Sequence, residues 1–208
     1  MKKIVQLILA LVIVGLVYVI YDQISTPIRF ENVKKAKEEA VIERIKDIRT
    51  AERAFKSKYQ HFTGDFDTLI NFVLNDSIEG QRRIVDEDDS VAMAQLKKAG
   101  KKNIETFTVA VIDTIFAPKK LSPDQVKNFR YIPGTNKQAE FTIAAGMVTT
   151  ESKVVEVKAP YVKFLDTVTF RQEVINLIKA PEVVAYDKYP GIKFGSMEGA
   201  NNEAGNWE

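Results

Sequence analysis

The run from Ile4 to Tyr21 constrains this chain more than any other stretch, because its eighteen residues include Gln6 as the one strongly polar member. At about 1.5 Å of rise per residue a helix of that length reaches roughly 27 Å, close to the ~30 Å hydrocarbon core of a bilayer. Lys2 and Lys3 precede the run, so a cleaved signal peptide competes with an anchor. Such h-regions are shorter and end in a small-residue site, whereas Tyr18, Ile20, Tyr21 and Gln23 stand where cleavage would fall. A buried helix of a soluble protein is the third reading. The expectation is an uncleaved single-pass signal anchor over residues 1–25, with Ile4, Leu7, Leu11, Val14, Tyr18 and Tyr21 as its membrane-anchor residues. The two tyrosines would sit at the far interface, where aromatic rings concentrate.

Flanking charge leaves the orientation open. Lys2 and Lys3 lie on one side against Arg29, Lys34, Lys35 and Lys37 on the other, a count that taken literally favours a cytoplasmic domain. Long domains are nonetheless translocated largely regardless of charge, and a very short N-terminal tail is the usual signal-anchor arrangement.

Thr26-Pro27 reads as a helix start, since a threonine hydroxyl can cap the first free amides and proline at the first helical position loses no hydrogen bond. The anchor is therefore expected to end near Ile24 and a separate stem helix to cover 26–60. Glu31 to Glu39 is polar around most of a helix, with Glu31–Lys35, Lys34–Glu38 and Lys35–Glu39 as i,i+4 pairs, each contributing about 0.2–0.5 kcal/mol to an exposed spacer. Beyond it, Val41, Ile45, Ile48, Phe55 and Tyr59 form an apolar packing face at 3.5 to 3.6 spacing, with Ala51 beside the one gap at Glu52. Fewer than three clean heptads favour packing on the chain's own domain over a coiled coil.

Residues 61–197 read as an α+β globular domain packed on the second half of the stem. Asp67 to Leu74 is a short helix capped by Asp65 or Asp67, and Arg82 to Val85 a brief strand. The acidic run Asp86-Glu87-Asp88-Asp89 lacks the alternation and glycine of a calcium loop and reads as the solvated cap of a helix over Ser90–Ala99, with Met93 and Leu96 inward. Ile104 to Ile115 is β-rich, and Ser122-Pro123 opens a further short helix. Phe129–Ile132 and Glu140–Val148 read as a hairpin that Lys153–Lys158 extends into an antiparallel meander covered by the stem. Asp166 to Ile178 mixes both periods, Ile192 to Phe194 fits an edge strand, and 198–208 is expected as a flexible tail unless Trp207 docks.

Ala51-Glu52-Arg53-Ala54-Phe55 through Tyr59-Gln60-His61-Phe62-Thr63-Gly64 to Leu69 resembles the region of type IV pilins and type II secretion pseudopilins where the N-terminal helix ends in a Tyr-centred turn before a short Leu-containing helix. The chain departs from them in lacking a Gly-Phe-Thr-Leu-type processing site before the apolar run and a glutamate at its start. A second resemblance covers most of the chain. Ile48-Arg49-Thr50-Ala51, Gly64-Asp65-Phe66-Asp67-Thr68-Leu69, Arg130-Tyr131-Ile132-Pro133, and the ending from Tyr189-Pro190-Gly191 to Asn206-Trp207-Glu208 resemble a group of uncharacterised, membrane-anchored proteins of Bacteroidetes. That resemblance implies the cell envelope, with the inner membrane as anchor and the domain in the periplasm. It implies no activity.

Chemistry leaves few marks. His61 is the only histidine and cysteine is absent, which excludes two-imidazole metal sites, thiol catalysis and disulfides. There is no Gly-x-Ser-x-Gly elbow and no phosphate-cradling glycine loop, and no cofactor is expected. A formal charge of +2 without a basic stripe interleaved with aromatics argues against nucleic acid. Asp65, Asp67, Asp113, Asp124 and Asp166 read as caps and turn residues rather than paired acids. The expected function is a non-enzymatic, membrane-anchored envelope protein acting through protein–protein contacts, with other envelope proteins or itself as partner, in secretion or surface assembly. A periplasmic glycan- or peptide-binding module with an aromatic cleft from Tyr131, Phe141, Tyr161 or Tyr186 is the alternative, and a hydrolase with a carboxylate dyad the third reading.

Overall fold

In the computed structural model, which describes residues 2–86, 88–149 and 152–208, one helix runs through the membrane-length segment and the stem together. This helix, α1, spans Lys2–Tyr59 with Pro27 inside it, about 87 Å at 1.5 Å per residue. The expected break at Thr26-Pro27 does not occur. An interior proline removes one backbone donor and crowds the preceding turn, but polar side chains tie that turn together. Ser25 Oγ donates to the Asp22 carbonyl at 3.5 Å and Thr26 Oγ1 to Asp22 Oδ1 at 3.3 Å, and Arg29 Nη2 donates to Thr26 Oγ1 at 3.1 Å.

After α1 come α2 (Phe66–Asn75), β1 (Ser77–Arg83), α3 (Ser90–Lys98) and β2 (Ile104–Ala110). Two short helices follow, α4 (Val111–Ile115) and α5 (Pro123–Lys127), then β3 (Thr142–Met147), β4 (Lys153–Pro160) and α6 (Tyr161–Phe164). The chain ends with α7 (Arg171–Ile178), α8 (Pro181–Ala185) and β5 (Gly191–Gly195). Asp65 caps α2 by accepting from Thr68 N at 2.8 Å, and Ser122 forms a capping box with Gln125 ahead of Pro123 at the start of α5. The mixed segment 166–178 resolves into α7, whose Val174 is buried.

The fold is α+β with antiparallel sheets, in a pseudopilin-like layout of a long N-terminal apolar helix backed by a sheet. The larger sheet has the order β3-β4-β5, with Thr142 opposite Lys158 and Met147 opposite Lys153, and with Glu156 opposite Gly195 and Pro160 opposite Gly191. Alternation sends Val155, Val157 and Ala159 of β4 into the core with Ile192 and Phe194 of β5, against Val41, Ile45, Ile48 and Phe55 of α1. Gly195 closes β5 at φ +71, where an added Cβ would stand 1.8 Å from the Val155 carbonyl oxygen, so only glycine lets the chain turn there.

The expected hairpin of Phe129–Ile132 with Glu140–Val148 shrinks to an isolated bridge, Tyr131 with Glu140. Left-handed Gly134, Asn136 and Lys137 make the connection a compact turn rather than a ladder. The strand expected at Arg82–Val85 begins earlier, at Ser77, and the β-rich stretch 104–115 bends into α4 after Ala110. Met93 and Leu96 are half-covered, and α3 contains no buried residue. Glu87 of the acidic run and Thr150 and Glu151 of the β3–β4 turn lie outside the described residues.

Candidate functional site

Every residue from Lys2 to Ile24 is exposed, including the six anchor residues named from the sequence: Ile4, Leu7, Leu11, Val14, Tyr18 and Tyr21. A continuous apolar surface of this size is foreign to the water-exposed face of a monomeric protein. Among the described residues α1 is the one helix long and apolar enough to cross a membrane.

The domain begins close to that segment. Phe30 is buried, with its ring 5.6 Å from that of Phe170, and it lies six residues past Ile24, about 9 Å along the helix. Lys37 Nζ donates to the Phe164 carbonyl at 2.6 Å, and Arg44 Nη1 to the Asn128 carbonyl at 2.5 Å. Lys119 bridges Asp47 at 2.6 Å and Glu43 at 3.3 Å. The polar stretch 31–39 is therefore covered along one side instead of forming a bare spacer. None of the three expected i,i+4 ion pairs forms among the described residues; Lys34 instead meets Glu31 three residues back at 3.0 Å, and Lys37 reaches the domain.

Of the stem packing face, Val41, Ile45 and Ile48 are fully buried and Phe55 nearly so. Tyr59 sits at the rim, 44 % exposed. Its ring lies 4.7 Å from Phe55 and 5.9 Å from Phe72, and its hydroxyl donates to Asp76 Oδ2 at 2.6 Å. Glu52, the apparent gap in the stripe, is itself fully buried. Its Oε2 accepts from the Thr63 amide at 3.0 Å, while Oε1 has no partner among the described residues. Burial pushes its carboxyl up to about 8, the Thr63 amide opposing.

At the far end of α1, Lys58 reaches the Asp76 carboxylate and donates to the Ser77 carbonyl at 2.8 Å. Lys58, then Tyr59, hold the Asp76 carboxyl down at about 2. This clamp fixes the root of an arm formed by β1, α3 and β2. The two strands pair from Ser77 with Ala110 to Arg83 with Ile104, and both present mostly exposed side chains. Phe107 lies across Gly80, where a Cβ would come within 2.6 Å of the ring. A cleft of about 500 Å³ lined by Ala54, Lys58, Ile78 and Thr108 opens where the arm meets α1.

The tail docks, contrary to the expected flexibility of 198–208. Gly205 bridges to Phe194, and Asn206 exchanges hydrogen bonds with Lys193 and Gly191. Arg49 Nη1 meets Glu208 at 2.7 Å with its guanidinium 5.8 Å from the Trp207 ring, and Arg53 meets Glu203 at 3.1 Å. The readable signal was the basic stripe Arg49, Arg53 and Lys56 on one side of α1, matched by Glu203 and Glu208.

Four of the five candidate acids have partners of their own, and Asp113 is exposed on α4. Asp65 caps α2, Asp67 meets Arg130 at 3.2 Å, Asp124 meets Lys127 at 3.3 Å, and Asp166 accepts from the amides of Val168 and Thr169. His61 Nδ1 lies 2.8 Å from the Tyr59 carbonyl oxygen, its ring edge-on to Phe55. Among the described residues no group of three His, Asp or Glu side chains is placed to hold a metal ion. Among the described residues no ring contact joins any two of the four aromatics; Phe141 is buried, Tyr161 and Tyr131 half-buried, and Tyr186 74 % exposed. No family model matches the chain, and neither a curated protein nor a solved structure is significantly similar to it.

Proposed function

We propose that this chain is a single-pass inner-membrane protein of the cell envelope whose domain stands in the periplasm and acts, without chemistry of its own, by contact with other envelope proteins or with itself, in secretion or surface assembly. The observation that carries this reading is the continuity of α1. A wholly exposed apolar segment and the helix at the centre of the domain core are one rigid element. A bilayer satisfies the first half, and the second half then holds the domain at a fixed distance and angle, as a contact-making component requires. The Tyr-centred turn after α1 and the helix-on-sheet layout support a pseudopilin-like role.

Single cysteines test the placement, because the native chain has none. Lys120→Cys in intact cells should be modified by a membrane-impermeant maleimide added from outside the inner membrane. Protection of that cysteine until the inner membrane is opened would put the domain on the cytoplasmic side. Photoreactive residues at Glu43, Arg53 and Lys58 should then give position-dependent adducts with an envelope protein or with the chain itself. An anchored protein that yields no adduct at any position would favour a domain that binds a small glycan or peptide alone.

A further inference from the structure

The connection between β4 and β5 lies at the end of the domain nearer the apolar half of α1. β4 starts where α1 stops, since the amine of Lys153 meets the Gln60 carbonyl. The chain then runs back along the helix: the Phe164 carbonyl accepts from Lys37 at 2.6 Å, and Phe170 packs on Phe30. From Tyr59 to Phe30 that descent covers about 44 Å of helix. β5 begins only at Gly191, opposite Pro160, so residues 161–190 are joined to the sheet at its end toward the apolar segment.

Within that connection the turn before α7 holds a side chain that the fold leaves bare. Asp166 Oδ1 accepts from the amides of Val168 and Thr169 at 2.9 and 3.0 Å, so the turn is folded by its own aspartate and not by packing of Val168. Val168 is 89 % exposed, more than any large apolar residue of the membrane-length run, where Tyr18 reaches 71 %. A single bare valine is ordinary on a protein surface. This one stands two residues from Phe170, whose ring meets Phe30 about 9 Å along α1 beyond Ile24. The polar layer of a bilayer extends roughly 5–7 Å past its hydrocarbon, and a tilt of about 20°, ordinary for a spanning helix, lowers one flank further. Arg29 and Arg171 adjoin the Phe30–Phe170 contact and are both exposed, and a guanidinium suits a phosphate.

We propose that the turn over residues 166–170 is a second membrane contact, in which Val168 dips into the headgroup layer of the bilayer that α1 spans while Arg29 and Arg171 meet lipid phosphates beside it. The contact rests on the anchor reading above, because the spanning helix already holds the turn at the surface and makes the second attachment intramolecular. One valine and two guanidiniums would not keep a free domain on a membrane, where stable attachment takes stronger signals. On a tethered domain they need only select one tilt and one rotation of α1. A lipid surface fits this pattern better than a protein groove, since the apolar element is a single side chain between Thr167 and Thr169 with cations nearby. Two attachments fix the direction in which the far end of the domain points, which a single helix crossing the bilayer does not.

The test uses the full-length chain in vesicles of phosphatidylethanolamine and phosphatidylglycerol, carrying one cysteine at a time labelled with nitrobenzoxadiazole. Thr167→Cys reports the turn and Val14→Cys the anchor. Met147→Cys, exposed and paired with Lys153 at the opposite end of the sheet, is the control. Lipid with a nitroxide on its headgroup should quench the Thr167→Cys label roughly three-fold more than the control, and adding Val168→Glu should remove most of that difference. Equal quenching at the two positions would overturn the contact, as would a difference that ignores Val168→Glu. Quenching of the Val14→Cys label by lipid with a nitroxide deep in its acyl chain would in either case leave the anchor standing. A quenched turn with an unquenched Val14→Cys label would keep the lipid contact and remove the anchor, and quenching at neither would remove both.

Discussion

Among the described residues three acidic side chains are buried, and their neighbours separate them. Asp47 meets Lys119, and Glu156 lies between Lys158 at 2.6 Å and Lys193 at 3.5 Å. Glu52 has one backbone amide and, among the described residues, no cation, so desolvation dominates and the proton stays on at neutral pH. Below about pH 4.5 the folded and unfolded forms both hold that proton and stability is unaffected. Between there and about 8 only the unfolded form ionises, so stability falls as pH rises, and above 8 the whole loss remains. Glu52→Gln keeps an acceptor for Thr63 and has no charge to bury. It should be more stable than the parent by on the order of 2–4 kcal/mol at pH 8 to 9, and by little near pH 4.5. Urea unfolding of both proteins across that range measures it, and parallel curves would mean that Glu52 is ionised and solvated in the fold. Pattern reading left Glu52 as a gap in the apolar stripe because its partner comes from the turn after the helix, a contact that helical periodicity does not contain.

At the scale of the elements, the arm depends on the clamp at Asp76. A two-stranded ribbon is marginal alone, and this one is tied to α1 through Lys58 and Tyr59. The low Asp76 pKa makes that contribution complete above about pH 4 and lost as pH falls through about 2. Asp76→Ala should cost only about 1 kcal/mol globally, because the pair is partly exposed. It should nevertheless speed amide exchange throughout β1 and β2 while β4 keeps its protection, and uniform exchange across both sheets would refute a local clamp. Local rules served this chain unevenly. The same hydroxyl-before-proline signal marked α5 correctly at Ser122-Pro123 and failed at Thr26-Pro27. At Pro123 the chain arrives extended, with Ser122 at ψ 154, whereas at Pro27 it is already helical and Asp22, Ser25, Thr26 and Arg29 tie the turn together. The β3-β4 pairing was legible from alternating valines, and β5 as an edge strand from its short apolar run. The turn between Ile132 and Glu140 was legible as well, from the hairpin expected there, but its closure on a single bridge in place of a ladder was not.

For the whole molecule, the end of the chain closes onto its longest helix, so that α1 is gripped by elements far apart in sequence. The tail's glycine, asparagine and alanine suggest disorder, and its order comes from two arginines some 150 residues earlier. Arg49 holds three parts of it at once: the Glu203 carbonyl at 3.2 Å, the Glu208 carboxylate and the face of Trp207. That grip also covers β5, whose outer edge would otherwise be open to strand addition. Trp207 is the only tryptophan, so its emission reports this docking without labels. Arg49→Ala removes a cation–π contact and a charge-assisted hydrogen bond, together about 1–2 kcal/mol. It should shift the emission to the red and raise quenching by acrylamide while circular dichroism stays unchanged. Arg53→Ala, which loses a more exposed pair with Glu203, should do so less, and raised salt should weaken the parent's docking only in part because the ring stays packed. Trp207 emission that is already red and fully quenchable in the parent would mean that the tail is free in solution, and β5 would then be an open edge.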